Sequence, residues 1–383
     1  MRTKLLLLTA TCTVLASQAG WAADAPALPT KAEVELLIAE GQTFLAAQAQ
    51  PSGAFVPGAK FVLGITELTV DALTHQPLGF TGQDPRIKAA VQFILKYKQA
   101  DGGIYAPEEG LGNYCTSLGV LALKGAGAAD PATLEGAQKY LLGLQNMDPK
   151  SPAYGGIGYG SKGAGHEDLS NTSYAIQALR ASGLPSDQAN LKAALSFLER
   201  CQNLSGTNKL PWAGNDGGAV YAPDESKAGG SWEPNKPAGA ATEEPARMTS
   251  YGSMTYALIS SYLALDLKPD DQRIQAALGW AKANYQFDVN PGMVKAKERQ
   301  GLYYYYGTLA KTYDLLDMGP FALADGKVVD WRADLFTAIK SRAKSAPTGG
   351  SYWLNDADRW AEGIPTLVTA YTVKALKRIH ASL

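Results

Sequence analysis

The sequence predicts an all-α chain, an α6/α6 toroid of six outer helices alternating with six inner, buried ones. Two observations carry that prediction. Helical segments of two kinds, one amphipathic and charged, the other apolar most of the way round, alternate strictly along the chain. A turn built on glycine followed by an aromatic residue recurs between them, which marks a chain of repeated supersecondary units.

Taken in order, residues 1–23 read as a signal peptide: Arg2 and Lys4, an apolar run from Leu5 to Ala16, and small residues before a cleavage point after Ala19 or Ala22. The run is too short to span a bilayer, which takes roughly 20 residues. The chain is therefore expected to be secreted or periplasmic, with residues 24–383 forming a single toroid domain and no transmembrane segment. The full sequence holds 35 Lys and Arg against 36 Asp and Glu; without Arg2 and Lys4 the balance is 33 against 36, a net charge of −3. Nothing in that balance points to nucleic acid as a partner. Cys115 and Cys201 lie in different repeats and read as buried thiols rather than a disulfide scaffold.

The charged helices are expected over 31–50, 85–99, 131–145, 184–201, 269–285 and 330–343. In the second, Ile87, Ala90, Val91, Ile94 and Leu95 form one stripe while Arg86, Lys88, Lys96 and Lys98 fall elsewhere. The uncharged, small-residue-rich helices are expected over 61–74, 113–123, 171–181, 248–265, 303–316 and 364–377. Their first turns carry Asn113, Ser170-Asn171-Thr172 and Thr249-Ser250, residue types that cap helix starts.

Between an outer helix and the next inner one comes the repeated turn. Its fullest copy is Gln99-Ala-Asp101-Gly-Gly103-Ile-Tyr105, and Asp216-Gly-Gly218-Ala-Val-Tyr221 is a near copy. Gly53-Ala-Phe55, Gly155-Gly-Ile157 and Gly350-Ser-Tyr352-Trp353 keep its core. A glutamine amide can satisfy backbone groups left free at a helix end, and glycine supplies the positive φ of a tight turn, so these residues read as structural. Strict alternation places all these turns at one end of the ring. They are also the longer connections, the longest being a 205–247 insertion rich in proline and glycine, and long loops are where function sits.

Those turns, the inner-helix starts Asn113-Tyr-Cys-Thr-Ser and Asn171-Thr-Ser-Tyr, and Pro365-Thr-Leu-Val-Thr-Ala-Tyr371 resemble the repeats of the squalene cyclase and protein prenyltransferase superfamily. The resemblance spans residues 24–383 and implies an α6/α6 toroid whose motif glutamine and aromatic tie each outer helix to the following turn. The family's catalytic signatures are missing. There is no Asp-x-Asp-Asp acid motif, the nearest string being Asp356-Ala-Asp358-Arg359, where the arginine would keep a carboxylate ionised. The zinc-binding Asp-x-Cys is replaced by Asn113-Tyr114-Cys115, so a site from Cys115 and His166 would lack an anionic ligand unless Glu167 or Asp168 supplied it. No metal or cofactor is expected.

The long-loop end gathers the chemistry-bearing residues. His166, Asp168, Asp356 and Asp358 are the catalytic candidates; Tyr251, Tyr303, Tyr305, Trp353 and Arg359 are the ligand-binding ones. Three functions fit. A toroid without the catalytic motifs can bind a hydrophobic, isoprenoid-like small molecule in its central cavity. An exported toroid can act on a polysaccharide as a lyase or hydrolase, with carboxylates flanking the cleaved bond or His166 as base. A non-catalytic toroid can serve as a protein-interaction module.

Overall fold

The computed structural model describes residues 27–56, 58–160, 166–231 and 247–383. The leader reading and part of the 205–247 link lie outside the described residues. Among the described residues twelve α-helices alternate as expected. The outer set is α1 (Lys31–Ala47), α3 (Pro85–Leu95), α5 (Pro131–Gly143), α7 (Ala189–Cys201), α9 (Gln272–Ala283) and α11 (Trp331–Ser341). The inner set is α2 (Val62–Thr74), α4 (Gly112–Gly125), α6 (Leu169–Ala181), α8 (Gly252–Ala264), α10 (Leu302–Leu315) and α12 (Pro365–Ser382). Each inner helix packs on the next, and α12 returns to α2, so the inner ring is closed. No helix among the described residues is long and apolar enough to cross a membrane.

Local chemistry separates the two sets. The outer helices mostly start at a side-chain cap: Thr30 and Glu33 form a capping box before α1, and Asp84, Asp130, Asp271 and Asp330 each accept a first-turn N–H. Of the inner helices only α6 has such a cap, Asp168. The other first turns draw on acceptors elsewhere. Asn113 N–H donates to the Tyr159 carbonyl (2.9 Å), Ser253 N–H to Asn290 Oδ1 (3.0 Å) and Tyr304 N–H to Glu362 Oε1 (2.8 Å). The capping expected from Asn113 and Thr249-Ser250 is thus corrected. Asn113 lies one residue inside α4, where its amide instead bridges to the Gly158 and Asn171 carbonyls.

The repeated turn is a clasp with four parts. Gln99 donates to the Tyr97 and Tyr105 carbonyls, Asp101 accepts from Gly103 N–H and Tyr105 hydroxyl, and Tyr105 stacks on Tyr140 of α5. Gln145 and Gln202 also reach onward, to the Asn190 and Arg273 carbonyls at the next outer helix (both 2.8 Å). At Asp216 the pattern differs from Asp101: it accepts from Gly218 N–H and the Ser250 hydroxyl, leaving Tyr221 free to point elsewhere.

The third part was not expected. A threonine on the following inner helix accepts the N–H of the turn's apolar residue: Thr66 from Phe55, Thr116 from Ile104, Thr172 from Ile157, Thr255 from Ala219 and Thr369 from Trp353, all within 2.9–3.2 Å. The fourth part is the motif glycine. A Cβ at Gly155 (φ +87°) would lie 1.8 Å from the Ala193 carbonyl oxygen of α7, so only glycine lets the turn meet that helix. Gly53, Gly102 and Gly217 abut α3, α5 and α9 in the same way, and Gly350 abuts α1 at Glu40. Two small ribbons were not expected: β1 (Phe321–Ala322) with β2 (Val328–Val329), and β3 (Lys344–Ser345) with β4 (Ser351–Tyr352).

Candidate functional site

All six inner helices start at the end that carries the clasps, and a cavity of about 480 Å³ opens there inside the ring. Its wall is built from one side of each inner helix. Leu68 of α2, Leu118 of α4, Met254 of α8 and Leu367 of α12 supply aliphatic surface. Tyr114 of α4, Tyr174 of α6, Tyr304 of α10 and Tyr371 of α12 supply aromatic surface. These rings adjoin in sequence around the lumen, with centroids 5.2 Å (Tyr114 and Tyr174), 6.3 Å (Tyr174 and Tyr304) and 6.0 Å (Tyr304 and Tyr371) apart. Tyr159, Tyr221, Tyr251 and Trp360 close the rim.

Several of the hydroxyls are paired with one another. Tyr114 donates to Ser170 Oγ (2.7 Å), which lies 2.9 Å from the Tyr304 hydroxyl, and the Tyr159 and Tyr221 hydroxyls are 3.0 Å apart. Burial pushes the phenols of Tyr114, Tyr174 and Tyr304 well above their ordinary value, so they stay neutral. One carboxyl reaches the cavity wall among the described residues: Glu362. It is 1% exposed, and burial raises it to about 7, against the opposing pull of Asn355 Nδ2 (2.6 Å) and the first N–H groups of α10. Its protonated and ionised forms are therefore both present near neutral pH. Behind Cys115, which also lines the cavity, Glu67 is fully buried with both oxygens unpartnered, and burial followed by the neighbouring Glu109 pushes it well up.

The residues singled out in the sequence fall into different places. Tyr251 and Arg359 line the cavity, Arg359 lying 5.5 Å above the Trp360 ring. Tyr303 and Tyr305 do not reach it. They point into the packing around α10, where Tyr303 meets Tyr306 edge-on and Tyr305 donates to the Gln286 carbonyl. Trp353 does not reach it either. It fills the place that Phe55 and Ile104 occupy in their clasps, with its indole donating to the Ile339 carbonyl. Asp168 is wholly buried as the cap of α6, bonded to Asn171 N and Nδ2, and burial raises it to about 6. Asp356 and Asp358 are exposed on the loop before α12, and Asp358 accepts from Gly363 N–H.

His166 belongs to a second, smaller recess of about 260 Å³, bordered by Glu167, Asp224 and Glu225 and separated from the cavity by Tyr221. Cys115 faces the cavity and His166 the recess, so the zinc pairing weighed from the sequence is not assembled. No cluster of three or more metal-ligating side chains occurs among the described residues. Sequence reading missed Tyr114, Tyr174, Tyr304, Tyr371 and Glu362. The available signal was a tyrosine on the uncharged face of each of four inner helices.

Fold and cavity together define an α/α toroid open at the end where its inner helices start. No protein-family model matches the sequence, and no curated protein is similar to it in sequence. Solved structures do match over nearly the whole chain. Protein geranylgeranyltransferase-I of Candida albicans, complexed with GGPP, superposes with a TM-score of 0.55 at 12% identity, covering 89% of this chain and 90% of its own. The type II terpene cyclase MstE from Scytonema gives 0.55 at 13%, covering 93% and 100%. A D-mannose isomerase gives 0.58 at 13%, covering 94% and 100%. At these identities the likeness is one of fold.

Proposed function

We propose that this chain holds an apolar, isoprenoid-like ligand in the ring cavity, with its hydrocarbon chain against the ladder of Tyr114, Tyr174, Tyr304 and Tyr371. The composition of that wall carries the reading: aliphatic side chains and a ladder of aromatic faces make up most of it, the hydroxyls of Tyr114 and Tyr304 are already bonded to Ser170, and its charged groups are the exposed Lys60 and Arg359 and the buried Glu362. The volume lies within the roughly 300–1,000 Å³ usual for small-molecule sites. A terpene cyclase and an enzyme complexed with an isoprenoid diphosphate share the fold, which is in keeping with this reading. The proposal includes export, supported by the basic start and short apolar run of residues 1–23. Native mass spectrometry of the protein recovered from the periplasm should reveal a co-purified lipid, on a chain starting at Gly20 or Ala23. Ligand-free protein that also fails to bind farnesol would overturn the ligand reading, and retention of Met1 in the cytoplasm would overturn export.

A second reading, action on a carbohydrate, is favoured by the smaller recess, where His166 stands among Glu167, Asp224 and Glu225. It predicts that His166→Ala abolishes product release from a polysaccharide panel. No release by the wild type from any polymer would remove it.

A further inference from the structure

The cations of the cavity wall, Lys60 and Arg359, both stand at its mouth. Lys60 lies just before α2, and Arg359 lies on the loop that enters α12, the helix packed against α2 in the ring. Their surroundings match. Each precedes an aromatic residue in left-handed backbone, Phe61 at φ +65° and Trp360 at φ +55°. Each also lies over that ring, the Lys60 ammonium 4.9 Å from the centroid of Phe61 and the Arg359 guanidinium 5.5 Å from that of Trp360.

Neither cation is matched within the chain. Both side chains are exposed, and neither makes a hydrogen bond or an ion pair among the described residues. Carboxyls stand near without taking them up. Glu362, the other charged group of the wall, is engaged by Asn355 Nδ2 and the Tyr304 N–H, and Asp358 accepts from Gly363 N–H. Glu109 feels the charge of Lys60 but does not line the cavity. Deeper along the helices the wall turns to Leu68, Leu118 and the tyrosine ladder, so the cavity is basic at its opening and apolar inside.

We propose that the ligand is an apolar chain with a carboxylate head group, bound tail-first, its hydrocarbon against the tyrosine ladder and its carboxylate at the mouth between Lys60 and Arg359. The inference rests on the apolar-ligand reading and adds the head group and its orientation. A guanidinium and an ammonium can each donate to one carboxylate, and a head held at the opening keeps part of its hydration, so no charge has to be buried. Asp356 and Asp358 share the loop of Arg359. They favour a head with one negative charge over a diphosphate, whose further charges would meet those acids.

The test is calorimetric titration of the purified protein with farnesoic acid, farnesol and farnesyl diphosphate at low and high salt, repeated on a variant carrying both Lys60→Met and Arg359→Met. At low salt the acid should bind the wild type about tenfold more tightly than the alcohol. High salt should narrow that ratio, because the cations are exposed, and the double variant should bring it close to one. Equal affinities in the wild type, a ratio indifferent to salt, or a preference that survives in the variant would overturn the head-group assignment and leave the cavity reading standing. Tighter binding of the diphosphate than of the acid would overturn the single charge. Failure of all three compounds to bind the wild type would overturn the cavity reading, and this inference with it. The wild-type ratio and its salt dependence decide the matter even if the variant does not fold.

Discussion

Glu362 performs two tasks that pull against each other. Its carboxylate is the natural acceptor for the free N–H groups at the start of α10, yet burial favours the protonated form and carries it to about 7. Asp168 is in the same position at α6, at about 6. A carboxyl that holds its proton more tightly when folded than when unfolded contributes stability that is full below its unfolded value. That contribution is lost as pH rises through the folded value. The contribution of Glu362 should therefore decline between about pH 4.5 and pH 7. Glu362→Gln, which keeps an acceptor for the helix start and cannot ionise, should show a flatter dependence of Tm on pH over 5–8 than the wild type. An unchanged slope would show that Glu362 does not titrate in that range.

At the scale of the element, the unit is the clasp, and its parts differ in energetic weight. Gln99 contributes two hydrogen bonds from a partly buried amide, so Gln99→Ala should cost about 1 kcal/mol and leave ligand affinity unchanged, since nothing it touches lines the cavity. Gly155→Ala should cost more, on the order of 2–3 kcal/mol, because the new methyl meets the backbone of α7 and the turn keeps a positive φ. Thermal melts of both variants rank the two effects; equal losses would contradict the contact at Gly155. Much of the clasp was legible in the sequence, because glutamine, glycine and aromatic are unusual residues at fixed spacing. The threonine acceptors were not, since a threonine on an apolar helix looks like any other small residue until its partner across the turn is known. The same limit explains Trp353, Tyr303 and Tyr305. Residue type suggested ligand contact, but register decides which way an aromatic points, and only Tyr304 of the four consecutive tyrosines has the register of the lumen.

For the whole molecule, alternation of helix type was enough to predict a ring, and periodicity placed the helices to within a few residues. Their ends were harder to read: α7 begins at Ala189 and α12 runs on to Ser382. The cavity was not legible at all, since it is made by six helices meeting, each offering one or two residues. The closing junction has a consequence for how the chain is wired. Gly350 meets α1 as Gly155 meets α7, and His380 lies 2.8 Å from Glu35, so the last repeat joins the first through the same contact that joins internal neighbours. A circle assembled from like junctions has no privileged starting point. A circular permutant that connects Leu383 to Leu28 by a short flexible linker and opens between α4 and α5 should fold, melt within a few degrees of the parent and keep the same ligand. The place where translation begins would then be a matter of genetic history rather than of architecture.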